Sequence, residues 1–155
     1  MEETKVASYI SDVFAIEDEP LKFARENSSR QGLPMISIEA HEGRFLQFLV
    51  RACNAKKALE IGTLGGYSGI WIARGLSPGG VLITLEKENQ HAQVARGHFI
   101  KAGLEDMVEI RTGDAHAQLR AFPIETQFDF VFIDAEKSGY SDYFAWAVEY
   151  VRVGG

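Results

Sequence analysis

Cysteine is nearly absent from this chain: Cys53 stands alone, so no internal disulfide can form and the fold must hold by packing. Cys53 falls at helical spacing with Phe45, Leu46, Leu49 and Ala52, and it reads as core filler rather than as a reactive thiol. No uninterrupted apolar run approaches the roughly 20 residues that a helix needs to span a bilayer. The opening stretch, MEETKVASYISDVFAIEDEP, is acidic and amphipathic, without the basic-then-apolar order of a secretory leader. A cytoplasmic location is the expectation that follows. Basic charge is in the minority: 16 Lys and Arg stand against 22 Asp and Glu, a net charge of -6, which disfavours a phosphate backbone as partner.

What is present suits a single globular domain: 155 residues, 46% hydrophobic and 25% charged, are enough to bury a core. Val6, Tyr9, Ile10, Val13 and Phe14 recur at helical spacing and predict an amphipathic opening helix. Residues 21–35, ending in Gln-Gly-Leu-Pro, read as a connector, after which Ser37 is placed to cap a second helix running to about Ala52. Residues 1–56 are thus expected to form N-terminal helices and a cap, and 57–155 a nucleotide-binding core.

From Lys57 the pattern changes to short apolar runs alternating with helical periodicity. The runs are Ala58 to Ile61, Val81 to Leu85, Val108 to Arg111 and Phe128 to Ile133. Helices are expected to about Leu76, over 88–102 with Gly103 closing it, near 115–121, and through the stripe of Tyr140, Tyr143, Phe144, Ala147, Val148 and Val151. Strands alternating with helices imply right-handed crossovers and a parallel sheet with helices on both faces.

Ligands of such sheets bind outside the carboxyl ends of the strands. Every run here meets an acidic residue at or near that end: Glu60, Glu86, Asp114 and Asp134. One strand-end carboxylate alone reads equally as a solvated terminus. Four in series, with a glycine turn from Gly62 to Gly66 on the first, favour a nucleoside-type cofactor. Leu64 breaks the Gly-x-Gly-x-x-Gly dinucleotide fingerprint, and no Gly-Lys-Ser/Thr phosphate loop occurs, so a dehydrogenase is the least favoured class. Glu86 lies 24 residues after Gly62, where a carboxylate can accept hydrogen bonds from both hydroxyls of a ribose.

The histidines His41, His91, His98 and His116 are dispersed and resemble no zinc site. His91 and His98 are expected to line one helix surface, and His116 either touches a base or starts a helix in solvent. The aromatic residues Tyr140, Tyr143, Phe144 and Trp146 read as helix packing. On spacing alone, Lys137 reads as a surface lysine.

The segments ALEIGTLGGYS from Ala58, LITLE from Leu82, Gly113-Asp-Ala and FVFIDAEK from Phe130 resemble the successive motifs of the metal-dependent O-methyltransferases that include the catechol and caffeoyl-CoA enzymes. The likeness runs from about Met35 to Gly155. It implies a Rossmann-like fold that binds S-adenosylmethionine (SAM), with Glu60, Gly62, Gly66 and Ser68 at the methionine end, Glu86 on the ribose, and Asp114 and Ala115 flanking the adenine. Met35 matches a position near the methyl sulfonium, Asp134 a ligand of a divalent metal such as Mg2+ that also meets the cofactor, and Lys137 the base that takes the substrate proton.

The implied substrate is a small phenol or catechol, and the implied assembly a homodimer. A hydroxylated nucleoside in RNA, or a non-catalytic SAM-binding module, are the alternatives. Family members continue past the Val-Gly-Gly turn into a strand with an Asp-Asn pair that completes the metal site. A chain ending at Gly155 is therefore expected to be a fragment or remnant, with the strand at Phe128 to Ile133 left open on one side.

Overall fold

A computed structural model describes residues 2–155. Its centre is a four-stranded parallel sheet of β1 (Lys57–Ile61), β2 (Val81–Glu86), β3 (Val108–Thr112) and β4 (Phe130–Ile133), in the order β3-β2-β1-β4. The helices are α1 (Glu2–Phe14), α2 (Glu19–Arg30), α3 (Ala40–Ala52), α4 (Tyr67–Ala73), α5 (Asn89–Lys101), α6 (Ala115–Arg120) and α7 (Tyr140–Tyr150), with a 3-10 turn at Lys137–Gly139. The chain winds outward through β2 and β3, then returns to lay β4 on the other side of β1. The order reverses at β1, which opens a crevice at its carboxyl end.

Side chains alternate across a strand, and each face of the sheet accordingly has its own core. Ala58 and Leu82 point toward one cluster with Leu21, Leu46, Val50, Ile70 and Phe99, supplied by α2 to α5. Leu59, Ile61, Ile83 and Leu85 point to the other, with Leu119, Phe122, Phe128, Tyr143 and Tyr150 of the α6–α7 side. The two-sided apolar runs of β1 and β2 are what a sheet covered on both faces requires. Of the stripe on α7, Tyr143 and Trp146 pack inward, Trp146 stacking on Tyr150 at 4.1 Å, while Tyr140 and Phe144 are exposed.

Three expectations are corrected. The connector expected over 21–35 is largely a helix: Asp18 caps α2 by accepting from the Leu21 amide, and Pro20 sits in its first turn, where a missing N–H costs nothing. Its buried stripe, Leu21, Ala24 and Ser28, is small and partly polar, so hydrophobic periodicity is faint there. Ser37 does not cap α3, which starts at Ala40; the Glu42 carboxylate instead accepts from the Glu39 amide at 2.7 Å. Finally, β4 begins at Phe130, two residues later than the apolar run, because the Phe128 amide donates to the Tyr150 carbonyl instead of joining β1.

Cys53 is half-buried against the first cluster, as filler, its thiol donating to the Leu49 carbonyl. β4 pairs with β1 and forms one edge of the sheet among the described residues.

Asp129, just before β4, clips the base of the sheet. One carboxylate oxygen accepts from the Lys56 and Lys57 amides at 2.7 and 2.8 Å, and the other from Arg152 Nε at 2.6 Å, while Arg152 also donates to the Cys53 carbonyl. Burial pushes the Asp129 carboxyl up, but Arg152 and the two amides overcome it and leave it below the ordinary carboxylate range. With the folded pKa depressed, the stabilisation is present above the unfolded pKa and is lost as pH falls through the folded one. Asp129→Ala is expected to lower stability at pH 7 by about 1.5–3 kcal/mol, the range for one charged hydrogen bond, because part of the group remains in water. Urea titrations of both proteins at pH 7 and at acid pH check this; equal midpoints at pH 7 refute the clip.

Candidate functional site

A cavity of about 440 Å³ opens at the carboxyl ends of β1, β2 and β4, at the reversal point of the sheet. Its wall contains Gly62, Ser68, Glu86, Ala115 and Asp134 among the residues expected from the sequence. The glycine turn that follows β1 forms one side. Gly62, at φ +102°, is pressed so closely on the Asp134 carbonyl that a Cβ there would overlap it, so no side chain can stand between the β1 and β4 ends. Leu64 takes a left-handed conformation at φ 48°, uncommon for a residue with a Cβ and a sign that its surroundings hold the turn in place.

The hold is partly Glu86. Only 7% of this residue is exposed; one of its carboxylate oxygens accepts from the Leu64 amide at 2.7 Å and the other from the Glu88 amide at 2.9 Å. Two backbone donors thus fix a carboxylate against the cavity. His91 Nδ1 lies 3.5 Å from the same group and lines the cavity, on the face of α5 that it shares with His98 seven residues on. His98, two turns further along that face, is in the core with 1% exposure.

Glu60 is fully buried below this surface. Its oxygens accept from Ser68 at 2.5 Å and from Thr84 at 2.6 Å, and Thr84 in turn meets Thr63 at 2.6 Å. Ser68 and Thr63 both line the cavity, so Glu60 reaches it through two hydroxyls and not directly. Burial pushes the Glu60 carboxyl up to about 7, an effect the two hydroxyl donors oppose and the neighbouring Asp134 and Glu86 charges increase.

Other expected residues stand back from the wall. Gly66 backs onto Phe99, where it begins α4 in a left-handed conformation. Asp114 is exposed and caps α6 by accepting from the Ala117 amide at 2.8 Å. Met35 is 71% exposed, and its neighbours Pro34 and Ile36 line the cavity in its place. Lys137 is exposed at the start of the 3-10 turn, outside the lining. His116 stacks on Tyr143 at 4.7 Å, and Tyr143 donates to Glu136 at the cavity wall. Thr63, Leu64 and Tyr67, together with Gly65, also line the cavity on the turn side. They lie inside the motif the sequence had singled out, and the glycines drew attention away from them.

Glu86, Glu88, Asp134 and Glu136 outnumber Lys87 on the wall, which makes the site net acidic and suited to a cationic ligand. Among the described residues no group of three His, Cys, Asp or Glu stands close enough to hold a metal ion. Asp134 alone does not make such a site, so the residues present do not fit a metal without further ligands. Among the described residues, no helix is long and apolar enough to cross a membrane.

Comparison with known proteins agrees with this geometry. The model of the O-methyltransferase family matches residues 11–155. The catechol O-methyltransferase of Niastella koreensis is 46% identical over 151 residues, covering 96% of this chain and 68% of that protein. That of Mycobacterium tuberculosis is 40% identical, covering 96% and 67%. Among solved structures, an O-methyltransferase from Bacillus cereus in complex with SAH superposes with a TM-score of 0.93 at 44% identity, over 98% of this chain and 71% of that one.

The buried Glu60 makes a prediction on stability. Its carboxyl rises from an ordinary 4.5 to about 7, so the folded state holds a proton that the unfolded state has released between those values. Stability contributed by that proton is fully present below the unfolded pKa and is lost as pH rises through the folded one. Glu60→Gln should therefore flatten the decline of unfolding free energy between about pH 4.5 and 7. Denaturant titrations at three pH values in that window decide it, and parallel declines in both proteins would assign the slope to other groups.

Proposed function

The chain belongs to the O-methyltransferase family, and from that premise we propose that its cavity binds SAM and presents the methyl group to a hydroxyl of a small catechol-like phenol. The observation that carries the proposal is Glu86, a nearly buried carboxylate aimed at the cavity and fixed by two backbone amides beside a glycine turn. A carboxylate there suits the two hydroxyls of a ribose.

Bound SAM supplies a methyl group already activated by its positive sulfur. The remaining work of the protein is to place that methyl and to deprotonate and align an oxygen. In this reading the turn from Gly62 to Gly65 admits the methionine end to close backbone contact, with Gly66 setting the turn's exit into α4. Ser68, backed by Glu60, faces the ammonium. Ala115 and Asp114 stand beside the base, and Asp134 meets the cofactor at the β4 end. Met35, on the rim between two lining residues, covers the methyl side, and Lys137 takes the phenolic proton.

Asp134 would supply one ligand to a divalent ion such as Mg2+, which would need further ligands than the described residues bring together. Cytoplasmic location and a homodimer complete the proposal; light scattering of the purified chain tests the dimer.

Two measurements test the site. Calorimetric titration with SAM should show binding in the parent and at least a tenfold loss in Glu86→Ala, because each hydrogen bond to a charged group contributes on the order of 1.5–3 kcal/mol. Unchanged affinity removes Glu86 from the cofactor site. Lys137→Ala should reduce turnover of a catechol by about 100- to 10,000-fold, the contribution of a general base, while leaving SAM affinity as it is. Turnover within a few-fold of the parent makes Lys137 a surface lysine.

A further inference from the structure

His98 is a buried, polar, titratable group that the methyl-transfer proposal does not use. It sits on α5, one side of the glycine turn, and its ring is 1% exposed. Nδ1 lies 2.7 Å from the Gly65 carbonyl and Nε2 lies 2.9 Å from Asn27 Nδ2 on α2. A carbonyl can only accept, so Nδ1 carries the proton. In a neutral ring Nε2 then has a free lone pair, which accepts from the Asn27 amide. Phe23 closes the pocket edge-on, its centroid 5.6 Å from the imidazole, and burial holds the ring below its ordinary pKa, in the neutral form that this pairing needs.

Elsewhere the turn is anchored by the Gly62 amide, which donates to the Leu85 carbonyl at 3.0 Å, by the Thr63 hydroxyl, 2.6 Å from that of Thr84, and by two amides further along. The Leu64 amide donates to Glu86, and the Gly66 amide donates to the Thr63 carbonyl at 2.8 Å. None of these uses the carbonyl of Gly65, a cavity-lining residue so tightly backed by Ser28 of α2 that a Cβ on it would overlap the serine oxygen. Backing by Ser28 and capture by His98 both come from outside the sheet.

We propose that His98 is a positioning residue for the cofactor turn: as the neutral Nδ1–H tautomer, locked by Asn27, it holds the Gly65 carbonyl and so sets where residues 62–66 meet the methionine end of SAM. α2 and α5 thereby clamp the turn from behind, and cofactor affinity depends on a pair of residues that do not touch the cofactor. This inference rests on the SAM assignment for its effect on affinity, but not for its effect on the turn.

The test compares the parent with His98→Phe, His98→Asn and Asn27→Leu, using SAM calorimetry, amide hydrogen exchange at Leu64 and Gly66, and thermal unfolding. His98→Phe keeps a ring against Phe23 and removes the donor; it should weaken SAM about tenfold, as loss of one buried hydrogen bond does, and speed exchange in the turn. His98→Asn, whose side-chain amide can donate to the Gly65 carbonyl, should recover most of both. A folded His98→Phe protein with parental SAM affinity and parental turn exchange overturns the proposal.

Should His98→Phe fail to fold, Asn27→Leu carries the test. That residue is only half-buried, and its loss should leave Nε2 without its donor, visible as a change in the Nε2 15N shift, and weaken SAM several-fold. A parental spectrum and affinity there again overturn the proposal. If the parent itself binds no SAM, the cofactor assignment falls, while the tautomer and the turn exchange still decide the role of His98.

Discussion

Everything at the ligand end of this molecule depends on how closely backbone can approach backbone where β1 ends. Gly62 lies against the β4 terminus, Gly65 against Ser28 of α2, and Gly66 against Phe99 of α5, each at a distance that a Cβ would violate. Three separate elements are therefore drawn onto one five-residue turn. The cavity is the space that remains in front of it. A larger residue at any of these positions pushes apart the strands or helices that define the wall, so the glycines act on the site through the packing behind it. The turn keeps a strained Leu64 because hydrogen bonds on its flanks over-determine its path.

The same edge shows how environment divides the work of identical side chains. Glu60 and Glu86 both end, or nearly end, a parallel strand, yet their donors differ in kind. Glu86 is met by two backbone amides, which fix the carboxylate in place facing the cavity. Glu60 is met by two hydroxyls while fully buried, so burial dominates and its carboxyl is pushed up to about 7. One is a fixed acceptor for a ligand. The other is a buried acid whose connection to the cavity runs through Ser68 and Thr63.

Sequence pattern made the sheet legible because β1 and β2 are covered on both faces and so are apolar throughout. Strand-end carboxylates followed at once from the rule that ligands meet the carboxyl edge, and five of the expected residues do line the cavity. α2 escaped because a helix packed on glycines presents Ala24 and Ser28 where a larger core would take leucines. Asp18 followed by Glu19 and Pro20 was the available signal, a cap and a first-turn proline that do not depend on hydrophobicity. His98 escaped for a related reason: spacing along α5 puts it on one face with His91 but cannot say that this face is turned toward the glycine turn. Met35 and Lys137 are the opposite case, named through family likeness while the chain holds both at exposed positions.

The missed helix and the inward histidine turn out to be parts of one arrangement. A glycine turn that must lie close to its ligand cannot be held by its own side chains, since it has almost none. Its position has to come from groups that reach it from neighbouring elements, and these must be polar enough to take its carbonyls and amides and buried enough to have one preferred geometry. His98 meets both conditions, its ring held by Asn27 and the turn backed by Ser28, and Glu86 meets them from the sheet side. Polar residues in these positions lower the apolar content of α2 and α5, which is why the scaffold of the site is the part that hydrophobic periodicity reads least well.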